Sequence, residues 1–343
     1  MEKIDFVIPW VDGNDKSWQK EKNLWRSKLT GDQAIDDSDS RYRDWDNLRY
    51  WFRSIEKFAP WVNNVFFVTN GQKPEWLNTE CPKLRFIRHS DYMPEEYLPT
   101  FSSHAIEINL FRIKELSEHF VYFNDDTFLL RSVKPETFFR SGLPVLPAAL
   151  QPICPFSTSS PLLGHVYFNM FAAVNRHFNM KKSISQNKSK WLSVGNCGSK
   201  YLLGNLFFMK YAEFIGFKRE HMPCPMRKST MKKVWEAEPK LLDSTARNRF
   251  RTSEDVNQYI FRYWELAAGS FVPRKFDILG KCIHLRDKQN AQLSSVCDMI
   301  TSQKYDMICV NDAYSAYEEF ENGKQKVNAS LQAILGEKSG FEL

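Results

Sequence analysis

The sequence predicts an α/β fold with a mostly parallel sheet and a helical cap, on three observations. Short apolar runs of strand length alternate with amphipathic segments through the first third of the chain. Three of those runs end in polar, turn-forming clusters. Beyond them a Pro- and Ser-rich crossing leads into a stretch dense in aromatic and amide side chains. With 343 residues, 43% of them apolar and 15% aromatic, the chain has ample material for a core.

IDFVIPWV (4–11) reads as the first strand, followed by the turn Asp12-Gly13-Asn14-Asp15. In DNLRYWFRSIEKFA (46–59), Leu48, Phe52, Ile55 and Ala59 recur at spacings of three and four, which predicts a helix with one buried stripe and places Arg49 and Arg53 on a neighbouring face. NVFFVTNG (64–71) and LRFIRHS (84–90) are the second and third strands. AIEINLFRIKELS (105–117) is a second amphipathic helix, and it leads into the strand-like FVYFNDD (120–126). Residues 142–161 read as an irregular crossing and 162–218 as helices capping the sheet. In 249–267, Thr252 and Asp255 fit a capping box at the start of a helix. The tail, 313–343, is expected to pack as a helix or two on the outside and to fray at its end.

A net charge of +6 spread along the chain, without a dense basic block or a nucleic-acid module, excludes nucleic acid as partner and favours an anionic ligand or surface. The apolar N-terminal run is too short, and too interrupted by Asp5 and Pro9, for a signal peptide or membrane span. Seven scattered cysteines without a C-x-x-C pair are expected to be free thiols in a reducing cytoplasm.

Ligands of parallel sheets bind at the carboxyl ends of the strands, so the three polar strand ends are the candidate chemistry. Asp125 and Asp126 end an apolar strand. Adjacent carboxylates there either point to water in a turn or share a divalent cation, Mg²⁺ or Mn²⁺. Asp12-Gly13 is either a tight turn or a close approach to a nucleotide, with Trp10 or an Asp touching base or ribose; Asn70-Gly71-Gln72 offers the same choice. Arg251, placed beside the expected helix N-terminus, either binds phosphate or pairs with Glu254 or Asp255. His221 sits in a Pro-rich loop that can fix an imidazole; it and His104 are either structural or acid–base groups. Asn311-Asp312 again ends an apolar run with a carboxylate. Together these are the parts of phosphoryl chemistry: carboxylates for a divalent ion, a guanidinium and a histidine.

The chain resembles the Stealth proteins in four blocks that fall in the family's order. They are IDFVIPWVDGND (4–15), a long block within 41–129 that ends in FVYFNDDTFL, EHMPCPM with FRTSEDVNQYIFRY (220–226 and 250–263), and CVNDA (309–313). The resemblance implies one catalytic domain over 1–312 with a Rossmann-like (GT-A-like) core. Within it, 1–140 forms the nucleotide-sugar and metal half, 142–218 the helical insertion and 219–312 the phosphate site, with 313–343 as a tail. It implies transfer of a sugar-1-phosphate from a UDP-sugar to a polysaccharide hydroxyl with release of UMP and a divalent metal, at the inner face of the bacterial cytoplasmic membrane, beside capsule-assembly partners. Asp125, Asp126 and Asp312 would hold metal, and Arg251 would offset phosphate charge. His221 or one Asp of the pair would take the acceptor proton. Trp10, Asp12, Gly13, Asn70, Gly71 and Gln72 would line the nucleotide pocket, with Arg49 as a second cation. The rival readings are a metal-dependent glycosyltransferase that releases UDP and a noncatalytic glycan-binding protein.

Overall fold

A computed structural model describes residues 2–29, 35–38, 41–153 and 161–343. Its centre is a five-stranded sheet in the order Leu84–Arg88, Val65–Thr69, Ile4–Pro9, His119–Tyr122, Cys224–Arg227. The first four strands are parallel and the fifth runs antiparallel to its neighbour. Strand alternation divides the core cleanly, since successive side chains point to opposite faces. Val7, Phe66, Val68, Phe120 and Tyr122 join one buried cluster, which includes helices Pro161–His177 and Tyr259–Ala268. Phe6, Ile8, Val65, Phe67, Val121 and Phe123 join the other, covered by helix Leu48–Phe58 and the C-terminal helix Tyr317–Ile334.

Asp5 stands fully buried in the central strand, where an unpaired carboxylate would be costly. It accepts from Asn63 Nδ2 (2.7 Å), the Asn64 amide (3.1 Å) and the Ser117 amide (2.7 Å), so one residue ties two connections to the central strand.

The four expected strands lie in their apolar runs and the helix at 48–58 where its periodicity puts it; other elements differ, and Cys224–Arg227, expected within a Pro-rich loop, is the fifth strand of the central sheet. The helix expected over 105–117 is Ser103–Asn109 followed by one tight turn, Leu110–Arg112. The crossing at 142–161 is not wholly irregular, because Leu143–Pro147 pairs in parallel with Val272–Arg274; residues 154–160 of that crossing, with Cys154, lie outside the described residues. The remaining six cysteines are free thiols. The insertion supplies five helices among the described residues, from Pro161–His177 to Ser199–Phe208. The end of the tail is fastened, not frayed. Phe341 is buried, and Arg53 of helix Leu48–Phe58 grips Glu342 through two 2.7 Å bonds, with both side chains nearly inaccessible. No helix among the described residues is long and apolar enough to cross a membrane.

A second, smaller sheet positions the chemistry. Thr127–Leu129 leaves the central sheet just after the acidic pair and runs antiparallel to Met307–Asp312, which is parallel to Gly280–Leu285. The Val310 amide donates to the Asp126 carbonyl at 2.8 Å, so Asn311 and Asp312 are delivered to the end of the acidic strand.

Candidate active site

At the carboxyl ends of the Ile4–Pro9 and His119–Tyr122 strands lies a cavity of about 240 Å³, with an adjoining one of about 140 Å³. Trp10, Arg41, Asn124, Asp125 and Arg251 line both. The larger one also holds Asp44, Asp126, His221 and Asp312.

On its acidic wall, Asp126 is braced from three sides. Its Oδ2 accepts from Asn311 Nδ2 (3.1 Å) and faces His221 Nε2 (3.3 Å), while Thr127 Oγ1 donates to Oδ1 (3.0 Å). Burial opposes its charge, but the imidazolium and these donors prevail and hold its carboxyl far below the usual range. Burial likewise works against the charged form of His221, yet Asp126 raises its pKa to about 9. His221 Nδ1 lies 3.2 Å from the Tyr259 hydroxyl, which itself donates to the Glu220 carbonyl (3.3 Å). With its single proton so committed, the Tyr259 oxygen accepts from Nδ1–H, and Nε2 is the nitrogen left to exchange a proton at the cavity.

Asp125 and Asp44 have no such partners. Enclosure by the cavity walls, then the neighbouring Asp126 and Asp44 charges, push Asp125 up to about 7, although its side chain stays open to cavity water, which screens part of the effect. Burial, opposed by an amide bond from Asp46 and by the Lys324 charge, raises Asp44 to about 6. Uncompensated carboxylates converging on one cavity suit a divalent cation. Mg²⁺ is ordinarily held by one or two carboxylates, completed by phosphate and water, so Asp125 and Asp126 suffice. A softer donor set also exists: ligand atoms of Asp126, His221 and Cys309 lie within 4.8 Å of one another, a mixture that hard Mg²⁺ or Mn²⁺ does not prefer.

Across the cavity stands the basic wall. Arg251 donates to Ser103 Oγ at 2.9 Å and meets no carboxylate at ion-pair distance among the described residues. Burial and nearby Arg41 lower its pKa, the mark of a cation short of counter-charge. Its predicted setting differs, because Thr252 and Asp255 close a hydrogen-bonded turn and the helix begins only at Tyr259. The Asp255 carboxylate instead holds buried His104, with Nδ1 2.9 Å away.

Of the other expected site residues, Trp10 and Asn70 reach the cavities. Gly13 does not: its φ is not positive, and a Cβ there would meet the Tyr42 carbonyl oxygen at 2.0 Å, so glycine is required by a protein neighbour. Asp12 and Gln72 brace each other, the Asp12 amide donating to Gln72 Oε1 at 2.9 Å and Gln72 Nε2 to the Asp12 carbonyl at 3.0 Å. Gly71, at φ 118°, closes the turn behind them. Arg49 is exposed above the Trp76 ring, away from the cavity. Asp312 lines the cavity, but both its oxygens accept from Arg43, each at 2.9 Å. In this arrangement it orients a guanidinium, although burial still draws its pKa upward.

The N-terminal part of the chain matches Stealth protein CR1, conserved region 1, over residues 2–30, and residues 41–145 match Stealth protein CR2, conserved region 2. A capsular polysaccharide phosphotransferase WcwK of Streptococcus pneumoniae is 41% identical over 339 residues, covering 99% of this chain and 98% of the relative. The chain belongs to the Stealth family. This Stealth protein is also 37% identical over 344 residues to receptor polysaccharide phosphotransferase WefC of Streptococcus gordonii, with both chains fully covered. It is 34% identical over 340 residues to exopolysaccharide phosphotransferase cps2G of Lactiplantibacillus plantarum, covering 99% and 96% of the two chains. Membership makes it an enzyme, a transferase of phosphorus-containing groups. The CR2 match includes three side chains that sequence reasoning did not single out, Arg41, Arg43 and Asp44. Their one signal was the charge-dense stretch RYRDWD between two apolar elements, in which each residue reads alone as ordinary loop polarity.

Proposed function

We propose that this Stealth protein is a polysaccharide phosphotransferase that moves a hexose- or N-acetylhexosamine-1-phosphate from a UDP-sugar to a glycan hydroxyl, at the inner face of the cytoplasmic membrane. The observation that carries the reading is one cavity with carboxylates on one wall, a guanidinium on the other with no carboxylate at ion-pair distance among the described residues, and an oriented imidazole between. That arrangement matches a diphosphate, whose charge must be offset on both sides.

The acceptor hydroxyl oxygen forms a bond to the phosphorus that carries the sugar. The anhydride bond between that phosphorus and the bridging oxygen breaks, and UMP leaves with the electron pair. The hydroxyl proton passes to Nε2 of His221, which is free to take it once Asp126 no longer holds that nitrogen protonated. Arg251, with Arg41 beside it, lies against the non-bridging oxygens and orients the donor. Mg²⁺ or Mn²⁺ at Asp125 and Asp126 would supply charge neutralisation of the diphosphate and of departing UMP.

The test is product identity. The purified protein is incubated with Mg²⁺ or Mn²⁺, a panel of UDP-sugars and capsule-type oligosaccharide primers, and the released nucleotide is separated by chromatography. UMP that vanishes with chelator and in Asp126→Ala is expected; UDP would show simple glycosyl transfer and overturn the reading.

A further inference from the structure

The positive charge is not spread along the chain as the sequence reading has it; it is concentrated in one segment, where exposed apolar surface lies too. Residues 161–219 contain nine Lys and Arg against a single acidic residue, Glu213, a local charge of +8, so the rest of the chain is slightly negative. Lys181, Lys182, Lys188, Lys200 and Lys210 are exposed, and none pairs with a carboxylate among the described residues.

In the middle of this basic segment the helix Ser199–Phe208 turns its apolar side outward. Leu203 is 70% exposed and Phe207 60%, and Leu206 is exposed beside them. Residues 200, 203, 207 and the following 210 fall on one helical stripe, with lysine at both ends. The helix cannot roll to hide it. Asn205, fully buried on the inward side, accepts from the Leu150 amide (2.8 Å) and donates to the carbonyls of Ala148 (3.1 Å) and Trp191 (2.8 Å). The Lys210 ammonium sits 4.6 Å from the centre of the Phe207 ring, and Tyr211 is exposed beside it, so an aromatic body lies against a charged head.

We infer that this helix face is the docking surface for an anionic phospholipid bilayer. Contiguous apolar side chains flanked by unpaired lysines are what an interfacial helix presents to acidic headgroups. A second copy of the chain is disfavoured as the occupant, since two such basic faces repel. The same insertion contributes Leu163 and Tyr167 to the cavity wall, so docking there brings the cavity and the bilayer together through one set of helices. The inference rests on the membrane-surface part of the proposed function and is independent of the donor chemistry.

The experiment is co-sedimentation of the full chain with vesicles of phosphatidylglycerol in phosphatidylcholine, against pure phosphatidylcholine. Two double variants accompany it, Leu203→Glu with Phe207→Glu and Lys200→Gln with Lys210→Gln. Binding to the anionic vesicles alone is expected, weakened by salt, weakened roughly fivefold per lysine in the lysine variant, and lost in the apolar variant. UMP release on a water-soluble primer should be unchanged in both. If circular dichroism shows the apolar variant to be misfolded, the lysine variant decides. Absence of binding by the unaltered protein, or equal binding by a folded variant, overturns the inference. So does a concentration-dependent dimer that the apolar variant abolishes while vesicles bind none of the proteins. Failure of every protein to release UMP would count against the proposed reaction and leave the vesicle result standing.

Discussion

Of the places in this molecule that hold buried charge, two are built on opposite terms. Between helix Leu48–Phe58 and the tail, Arg53 and Glu342 match each other bond for bond, and the Leu335 carbonyl takes a further guanidinium proton at 2.9 Å. In the cavity the matching stops part-way. Asp126 and Asp312 have charged partners, whereas Asp125, Asp44 and Arg251 have none at ion-pair distance among the described residues. Charge satisfied inside the protein fixes a chain end; charge left unsatisfied on facing walls defines a ligand with both a cation and an anionic group.

The largest effect is expected at His221. His221→Ala should lower turnover on the order of 10²- to 10⁴-fold while the thermal midpoint stays near that of the parent, and near-parental turnover in a steady-state assay would remove its role. Glu342→Ala should do the reverse. Leaving Arg53 buried without a counter-charge costs about 3 to 5 kcal/mol by denaturant titration, with the folded fraction as active as before. Burial raises Glu342, but the Arg53 bond and the Ser339 amide outweigh it and hold its carboxyl below the ordinary value. The clamp's contribution is therefore present at neutral pH and lost as the pH falls through the acid range.

Cation affinity should sharpen the contrast further. Because Asp125 is pushed up to about 7, a divalent ion binding there displaces a proton at lower pH, and its affinity should weaken by about tenfold per pH unit below that point in calorimetry. A pH-independent affinity would place the ion away from Asp125. The smallest effect is expected at Arg49, where substitution by Ala should change turnover less than about twofold, as for other surface positions. Arg41→Ala, inside both cavities, should exceed it.

The four parallel strands of the central sheet were legible as short, continuous apolar runs, since they are buried on both faces, and the Leu48–Phe58 helix because its buried positions recur at spacings of three and four. Asp125, Asp126, His221 and Arg251 were legible as chemistry, and all four line one cavity. The two glycine turns could not be resolved from sequence, since a missing Cβ records either a close neighbour, as Tyr42 is at Gly13, or a positive φ, as at Gly71. Arg43 and Asp312 are 269 positions apart in sequence, and no local pattern announces that one neutralises the other. The same holds for Asp44 and Asp125, whose mutual repulsion exists only once two separate loops face one cavity.

The contact between Gly13 and Tyr42 gives the site a hidden spacer. It presses the loop after the first strand, backbone against side-chain-free backbone, onto the segment that carries Arg41, Arg43 and Asp44. Any side chain inserted there must push that segment outward. In a random mutagenesis screen Gly13 would therefore score as an activity position, although nothing at Gly13 lines the cavity where the reaction is placed.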